Sequence, residues 1–305
     1  GGSQLDTFDA VTSVALTATG GGNISLGSLA SNFGITSASK LSAVNMVASQ
    51  TGEVEIGSIG TTTKAEDLQL ISITSSGADV SLGSIAAINS GVFSAAISSS
   101  AIVTLGDMIF ENQGSSFVAS GSGSLAPINF TKEAYSSINL SDLGNDVSVS
   151  FANANNGVTI SLGSGNDTVT VGLGSDIITG NDGADIFIVG NGSSGLSLAT
   201  ADIITDFKSN IDKLKLGVLG DETANTGNYI ESNSSVSNYT EASVAANAAL
   251  NTLNSTSAAT ELYAFEYDSN SGYLFVDSNS DGVAEDLIIL SGIESSLISA
   301  SDLIA

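Results

Sequence analysis

The chain has 305 residues, long enough for one elongated domain or two compact ones with an apolar core. Its 32 Asp plus Glu stand against six Lys, a formal charge of −26; this excludes nucleic acid as a natural partner, because phosphate binding needs clustered Lys or Arg, and argues against anionic membrane surfaces. There is no Cys, His, Trp or Arg, which removes disulfides, thiolate metal sites and the Ser-His and Cys-His nucleophile systems.

So large a charge can accompany disorder, but the mean hydropathy is +0.29 and 42% of residues are hydrophobic, too apolar for a disordered chain. The expectation is a folded protein whose carboxylates are neutralised by divalent cations. No apolar run approaches the roughly 18 residues of a membrane span, and no basic-plus-apolar signal peptide opens the chain. Gly1-Gly2-Ser3 reads as an expression scar or a cut site, so a fragment is expected.

A repeat runs through the first half. Its anchor is an apolar residue followed by Gly, at Leu26-Gly27, Ile56-Gly57, Leu82-Gly83, Leu105-Gly106 and Leu162-Gly163. The first four glycines lie 30, 26 and 23 residues apart. Alternation within the anchors, as in Val54/Ile56 and Val80/Leu82, has the period of two of a strand buried on one face. Repeats of this length with Gly/Ser/Asn joints predict a parallel β-solenoid over residues 1–140; an antiparallel sandwich is the alternative. Glu53 and Glu55 share a strand face and form a conceivable catalytic carboxylate pair. Few aromatic residues accompany them, and Lys40, Lys64 and Lys132 are the only cations in this half, so they are expected to be solvated and the protein is not expected to be an enzyme.

From Leu162 the spacing tightens to nine, in LGSGNDTVT (162–170), VGLGSDIIT (171–179) and GNDGADIFI (180–188). Each unit places Asp sixth and an apolar residue eighth: Asp167/Val169, Asp176/Ile178 and Asp185/Phe187. An incomplete earlier copy, GNDVSV (144–149), offers Asp146. A nine-residue unit is a half-coil of tight turn plus short strand. Glycines in the turn admit positive φ and close approach. Stacked turns bring successive carboxylates together, where they repel unless a hard cation such as Ca²⁺ joins them.

These units resemble the RTX (repeats-in-toxin) family, whose nonapeptide G-G-x-G-x-D-x-U-x winds into a calcium-bound β-roll. The match lies at Gly163, Gly165, Asp167, Gly172, Gly174, Asp176, Gly183 and Asp185; it departs at Leu162 and Val171, and at Asn181-Asp182 in the third unit, where Asp182 is a possible further ligand. The following ADIITDFKSNIDKLKLG (201–217) looks like the segment that closes such a roll. The resemblance implies that Asp202 contributes to the last calcium site and that Phe207 plugs the core; Asp206 and Asp212 are carried over with it. The expected fold is therefore all-β: a right-handed parallel β-solenoid, an RTX calcium-binding β-roll over 141–220, and a small mixed cap over 221–305.

Within the cap, Thr240 is expected to cap a short helix running through Leu253. Residues 263–293 read as three strands. The second turn, Asp277-Ser278-Asn279-Ser280-Asp281-Gly282, opens like an EF-hand loop, but position twelve is Ile288 rather than Glu. Asp277, Asn279 and Asp281 are candidate ligands, with a tight hairpin as the alternative. The terminal Ser301-Asp302-Leu303-Ile304-Ala305 resembles the uncleaved signal read by type I secretion machinery.

RTX tails accompany proteases, lipases, toxins, adhesins and S-layer proteins. The Ser/Thr/Ala/Gly-rich acidic body looks like RTX-bearing S-layer proteins. The resemblance implies a Gram-negative cell-surface subunit that folds on Ca²⁺ after export, assembles with copies of itself, and meets an outer-surface glycan or lipopolysaccharide through residues upstream. The stalk of an adhesin and the tail of a secreted hydrolase remain alternatives.

Overall fold

The computed structural model describes residues 13–18, 24–26, 43–49, 54–56, 70–77, 79–87, 94–106, 108–110, 115–131, 135–293 and 298–305. The chain divides into two compact units, the first comprising residues 1–155 and 161–165 and the second residues 156–160 and 166–305. Strands dominate, most are parallel, and one α-helix is present among the described residues.

In the first unit successive circuits of the chain add strands to three parallel stacks. The first stack runs Ser13–Ala18, Ala43–Ser49, Leu70–Ser76, Ser94–Ser99, Ser115–Gly121 and Tyr135–Leu143. Beside it lie the anchor strands Ile24–Leu26, Val54–Ile56, Val80–Leu82 and Val103–Leu105. The third holds Ile85–Ala87, Met108–Phe110, Ile128–Thr131 and Ser148–Asn153. Register puts like residues on top of one another, Val54 on Val80 on Val103, so the expected parallel stacking is present and the sandwich is not.

Alternation decides which side faces inward. Val44, Met46 and Ala48 are buried, as are Ile71 and Ile73, Val80 and Leu82, and Val103 and Leu105. Each Val, Leu, Ile or Met side chain among them contributes about 1.5–3 kcal/mol on removal from water. Later coils use aromatic fillers: Phe117 meets Phe130 edge-on at 5.5 Å between ring centroids, and Phe130 lies 6.4 Å from Phe151. Ser99 is also buried, its hydroxyl donating to the Ala101 carbonyl and accepting from the Ala101 amide.

In the second unit the coil shortens. Thr168–Thr170, Ile186–Ile188, Lys213–Lys215 and Leu303–Ile304 form one parallel stack, with Val169, Phe187, Leu214 and Leu303 facing inward. Opposite it, Ile177–Thr179, Asp202–Ile204 and Asp286–Ser291 stack in parallel. Phe207 is buried with its ring 6.2 Å from that of Phe187, in the core position expected for it. Asp286–Ser291, Ser271–Asp277 and Leu262–Tyr267 then form an antiparallel meander, the three strands expected from sequence, and Tyr229–Glu231 adds to its edge in parallel.

The helix spans Tyr239–Thr256 and lays Ala242, Ala246, Leu250 and Leu253 on a cluster that includes Leu262, Ala264, Phe275, Leu287 and Ile289. It begins earlier than the expected Thr240 cap. Asn238 is the N-cap, its side chain accepting from the Glu241 amide at 3.2 Å, while Glu241 reaches back to the Ser237 amide at 3.0 Å. The Asn side chain satisfies an orphan donor of the first turn, and the acid three residues on reinforces it.

Candidate metal centre

The nonapeptide acids form two columns at opposite edges of the second unit. In the first, the Asp167 amide donates to Asp185 Oδ1 at 2.9 Å, and the Asp185 amide donates to Asp212 Oδ1 at 3.0 Å. In the second, the Val158 amide donates to Asp176 Oδ1 at 2.8 Å and the Asp176 amide to Asp202 Oδ1 at 2.9 Å. Partners within the nonapeptides lie 18 residues apart, so one full coil is two nonapeptides. Asp167, Asp176, Asp185, Asp202 and Asp212 are all buried.

Most of their oxygens are engaged by backbone amides: Asp176 Oδ2 accepts from Gly172, and Asp212 Oδ2 from Lys208. Two are not. Asp185 Oδ2 and Asp202 Oδ2 are shut off from solvent without a hydrogen-bond partner. An unpaired buried carboxylate oxygen costs several kcal/mol if ionised, on the order of 3–5 kcal/mol when a partner is simply missing. Burial pushes the Asp185 carboxyl up to about 7, with the charges of Asp212, Asp167 and Asp206 adding to it and the Asp167 amide opposing. Asp202 is pushed up to about 8, again chiefly by burial, with Asp176 and Asp286 adding charge. Asp176 and Asp212 are raised for the same first reason.

The glycines make the columns possible. Gly174 and Gly183 hold φ of +120° and +123°, where a side chain would be strained. A Cβ on Gly163 would sit 2.4 Å from the Leu143 carbonyl oxygen, and one on Gly165 2.4 Å from the Asp146 amide nitrogen. A Cβ on Gly180 would sit 2.4 Å from Asp185 Oδ2 itself, so this turn leaves open the space beside the unpaired oxygen.

The remaining candidates are placed differently. Asp206 is half-buried and accepts from the Gly180 and Asn181 amides at 2.8 and 2.7 Å, bracing the turn that carries Asp185. Asp182 points outward, its side chain 87% exposed and 3.5 Å from Lys208 Nζ, away from the buried oxygens. Asp146 belongs to the first unit and is exposed. The Glu53/Glu55 pair and Lys40, Lys64 and Lys132 fall outside the residues whose side chains are described.

Asp277 is fully buried at the end of its strand, with Asn279, Asp281 and Gly282 all donating their amides to it. Both the hairpin and the acidic loop are thus present. Asp277, Asp281 and Glu285 bring one carboxylate oxygen each within 4.8 Å of one another. Glu285 occupies position nine of the loop and also accepts from the Ser278 amide and the Asn279 side chain. Counting only to position twelve overlooks it.

Asp286 also escapes a local reading. It is buried and accepts from the Gly192 and Ser194 amides at 2.9 and 3.2 Å, more than ninety residues away in sequence. The Ser194 hydroxyl in turn accepts from the Asp202 amide at 2.8 Å, so Asp286 braces the second column through Ser194. Its only sequence signal is an acid opening an apolar strand, which has many ordinary explanations.

Chemically, the arrangement offers hard oxygen donors, carboxylate and carbonyl, with no nitrogen or sulfur from His or Cys. That donor set suits Ca²⁺ and Mg²⁺, and the irregular, crowded turns suit the looser geometry of Ca²⁺. No protein-family model matches the chain, and no curated protein matches it.

Proposed function

We propose that this chain is the calcium-dependent C-terminal part of an RTX-type surface protein, exported through type I secretion and assembled with copies of itself into a cell-surface lattice. The observation that carries the calcium part is the pair of buried, unpaired oxygens, Asp185 Oδ2 and Asp202 Oδ2, one in each carboxylate column. A cation at each column would supply the charge partner that these carboxyls, raised chiefly by burial, otherwise lack, and it would turn a destabilising feature into a folding signal. Extracellular calcium modules bind at about 10⁻⁴–10⁻³ M, so the chain would be strongly stabilised where calcium is abundant and lose that stabilisation where it is scarce.

The lattice part rests on composition and resemblance. The acidic, repetitive body lacks His and Cys, and the remaining surface carboxylates offer places for cations to bridge neighbouring copies. The test is electron microscopy of the 305-residue chain in millimolar Ca²⁺ and in excess chelator, with circular dichroism on the same samples. Ordered sheets seen only with calcium are the expected result. Dispersed particles whose circular dichroism responds to calcium would remove the lattice function and favour an adhesin stalk or enzyme tail. No response to calcium at all would overturn the whole reading.

A further inference from the structure

The C-terminal residues expected to serve as an export address are built into the fold beside the first carboxylate column. Asp302 is fully buried. Its Oδ2 accepts from the Ser209 hydroxyl at 2.6 Å and the Ser299 amide at 3.0 Å. Its Oδ1 accepts from the Asn210 amide and from Lys213 Nζ, each at 2.9 Å. Both oxygens are therefore satisfied, and the charge is matched by a Lys, which sets Asp302 apart from Asp185 and Asp202. It has neither a spare oxygen for a cation nor a net charge that needs one.

Its three distant partners lie in one turn and at the start of the strand that follows it. Ser209, Asn210 and Lys213 surround Asp212, whose carboxylate receives the amides of Asp185 and Lys208. Within that turn Asn210 holds a left-handed φ of 64°, a conformation that has to be held by its surroundings. The rest of the segment is fastened on both sides. Leu303 and Ile304 pair with Leu214 and Lys215, the Leu216 amide donates to the Ile304 carbonyl at 2.8 Å, and Glu222 Oε1 accepts from the Ala300 amide at 2.8 Å.

We infer that Asp302 is a positioning residue for the calcium turn: the C-terminal segment Ser299–Ala305 clamps residues 208–213, sets the placement of Asp212 beneath Asp185, and so governs calcium affinity at the first column. The inference rests on the calcium reading above. The acid in the C-terminal pentapeptide thus has a role in the folded protein that is separate from export. Without it, Lys213 Nζ loses its carboxylate and the Ser209 and Asn210 donors lose their acceptor, so the turn relaxes and Asp212 drifts from the Asp185 amide.

The test is a calcium titration of the full 305-residue chain, followed by hydrogen exchange in peptides covering residues 205–212 and 171–176, for the unaltered protein, Asp302→Asn and Ser209→Ala. Outer partners of a metal site typically change affinity by about 10–100-fold when removed. The expected result is an Asp302→Asn midpoint at least about tenfold higher at residues 205–212, with a smaller shift at 171–176. Ser209→Ala, which deletes a single donor and leaves the charge pair intact, should shift the same turn in the same direction by a smaller factor, and it serves if Asp302→Asn does not fold. Unchanged midpoints in both variants, or equal shifts at both turns, would overturn the inference. No calcium response in the unaltered protein would overturn the calcium reading instead, and this inference with it.

Discussion

The backbone amide of Asp167 donates to the side chain of Asp185 at 2.9 Å, one coil and 18 residues further along the chain. The same relationship recurs from Asp185 to Asp212 and, at the other edge, from Asp176 to Asp202. Asp176, Asp185, Asp202 and Asp212 therefore each spend one oxygen on joining coils. At Asp185 and Asp202 the other oxygen is buried and unpaired. One oxygen of each of these carboxylates thus joins coils, and the other is the one that the proposed function assigns to a cation.

Asp185→Asn should have opposite effects with and without calcium. In chelator the neutral side chain keeps an oxygen for the Asp167 amide and removes a charge that burial opposes, for a gain of about 1 kcal/mol. With calcium it deletes a ligand, and the gain on metal addition shrinks. Thermal unfolding in chelator and in calcium checks this: Tm is expected to rise by a few degrees in the first and to fall in the second.

Calcium-free stability should decline as pH rises. The folded-state values of about 7 for Asp185 and about 8 for Asp202 lie above the ordinary 3.8, so the folded chain holds protons that the unfolded chain has released. The stabilising contribution is full below the ordinary carboxyl value and is lost as pH passes through 7 and 8. Metal-free protein, unfolded by heat between pH 5 and pH 8.5, is expected to be most stable at the acid end. Calcium affinity should rise across the same window, because binding displaces those protons.

Gly180→Ala places a methyl 2.4 Å from Asp185 Oδ2 and 3.1 Å from Phe187 Cζ. The carboxylate has to move or the turn has to open, at about 1–3 kcal/mol. The calcium midpoint of the first column is expected to weaken more than that of the second, as read by calorimetric titration.

Asn238→Ala should cost about 1 kcal/mol through loss of the helix cap, whereas Thr240→Ala should stay within about 0.5 kcal/mol. Denaturant unfolding of the two variants separates the cap seen here from the one expected at Thr240.

What local spacing encodes was readable from sequence. Val80/Leu82 and Val103/Leu105 alternate because one face of each strand is buried, and register stacks them as their repeat implies. The sixth-position acids of the nonapeptides were likewise visible, since the coil that aligns them spans two of their periods. Asp182 shows the limit of such spacing, because its position in the turn carries its side chain outward. Asp286 and Asp302 were not readable as supports of the columns. Their partners lie about ninety residues away, and only the closed topology of the second unit brings them together. Glu285 joins Asp277 and Asp281 through a turn of the loop that a count to position twelve does not describe.

The 18-residue coil also constrains how this protein can change length. One nonapeptide crosses from one edge to the other, so removing a single unit would send every later acid to the wrong column and every later strand to the opposite sheet. Removing two would shorten the roll by one rung and leave each column intact. Viable gains and losses of whole nonapeptides in this region therefore come in even numbers, a parity rule imposed by the two-sided coil.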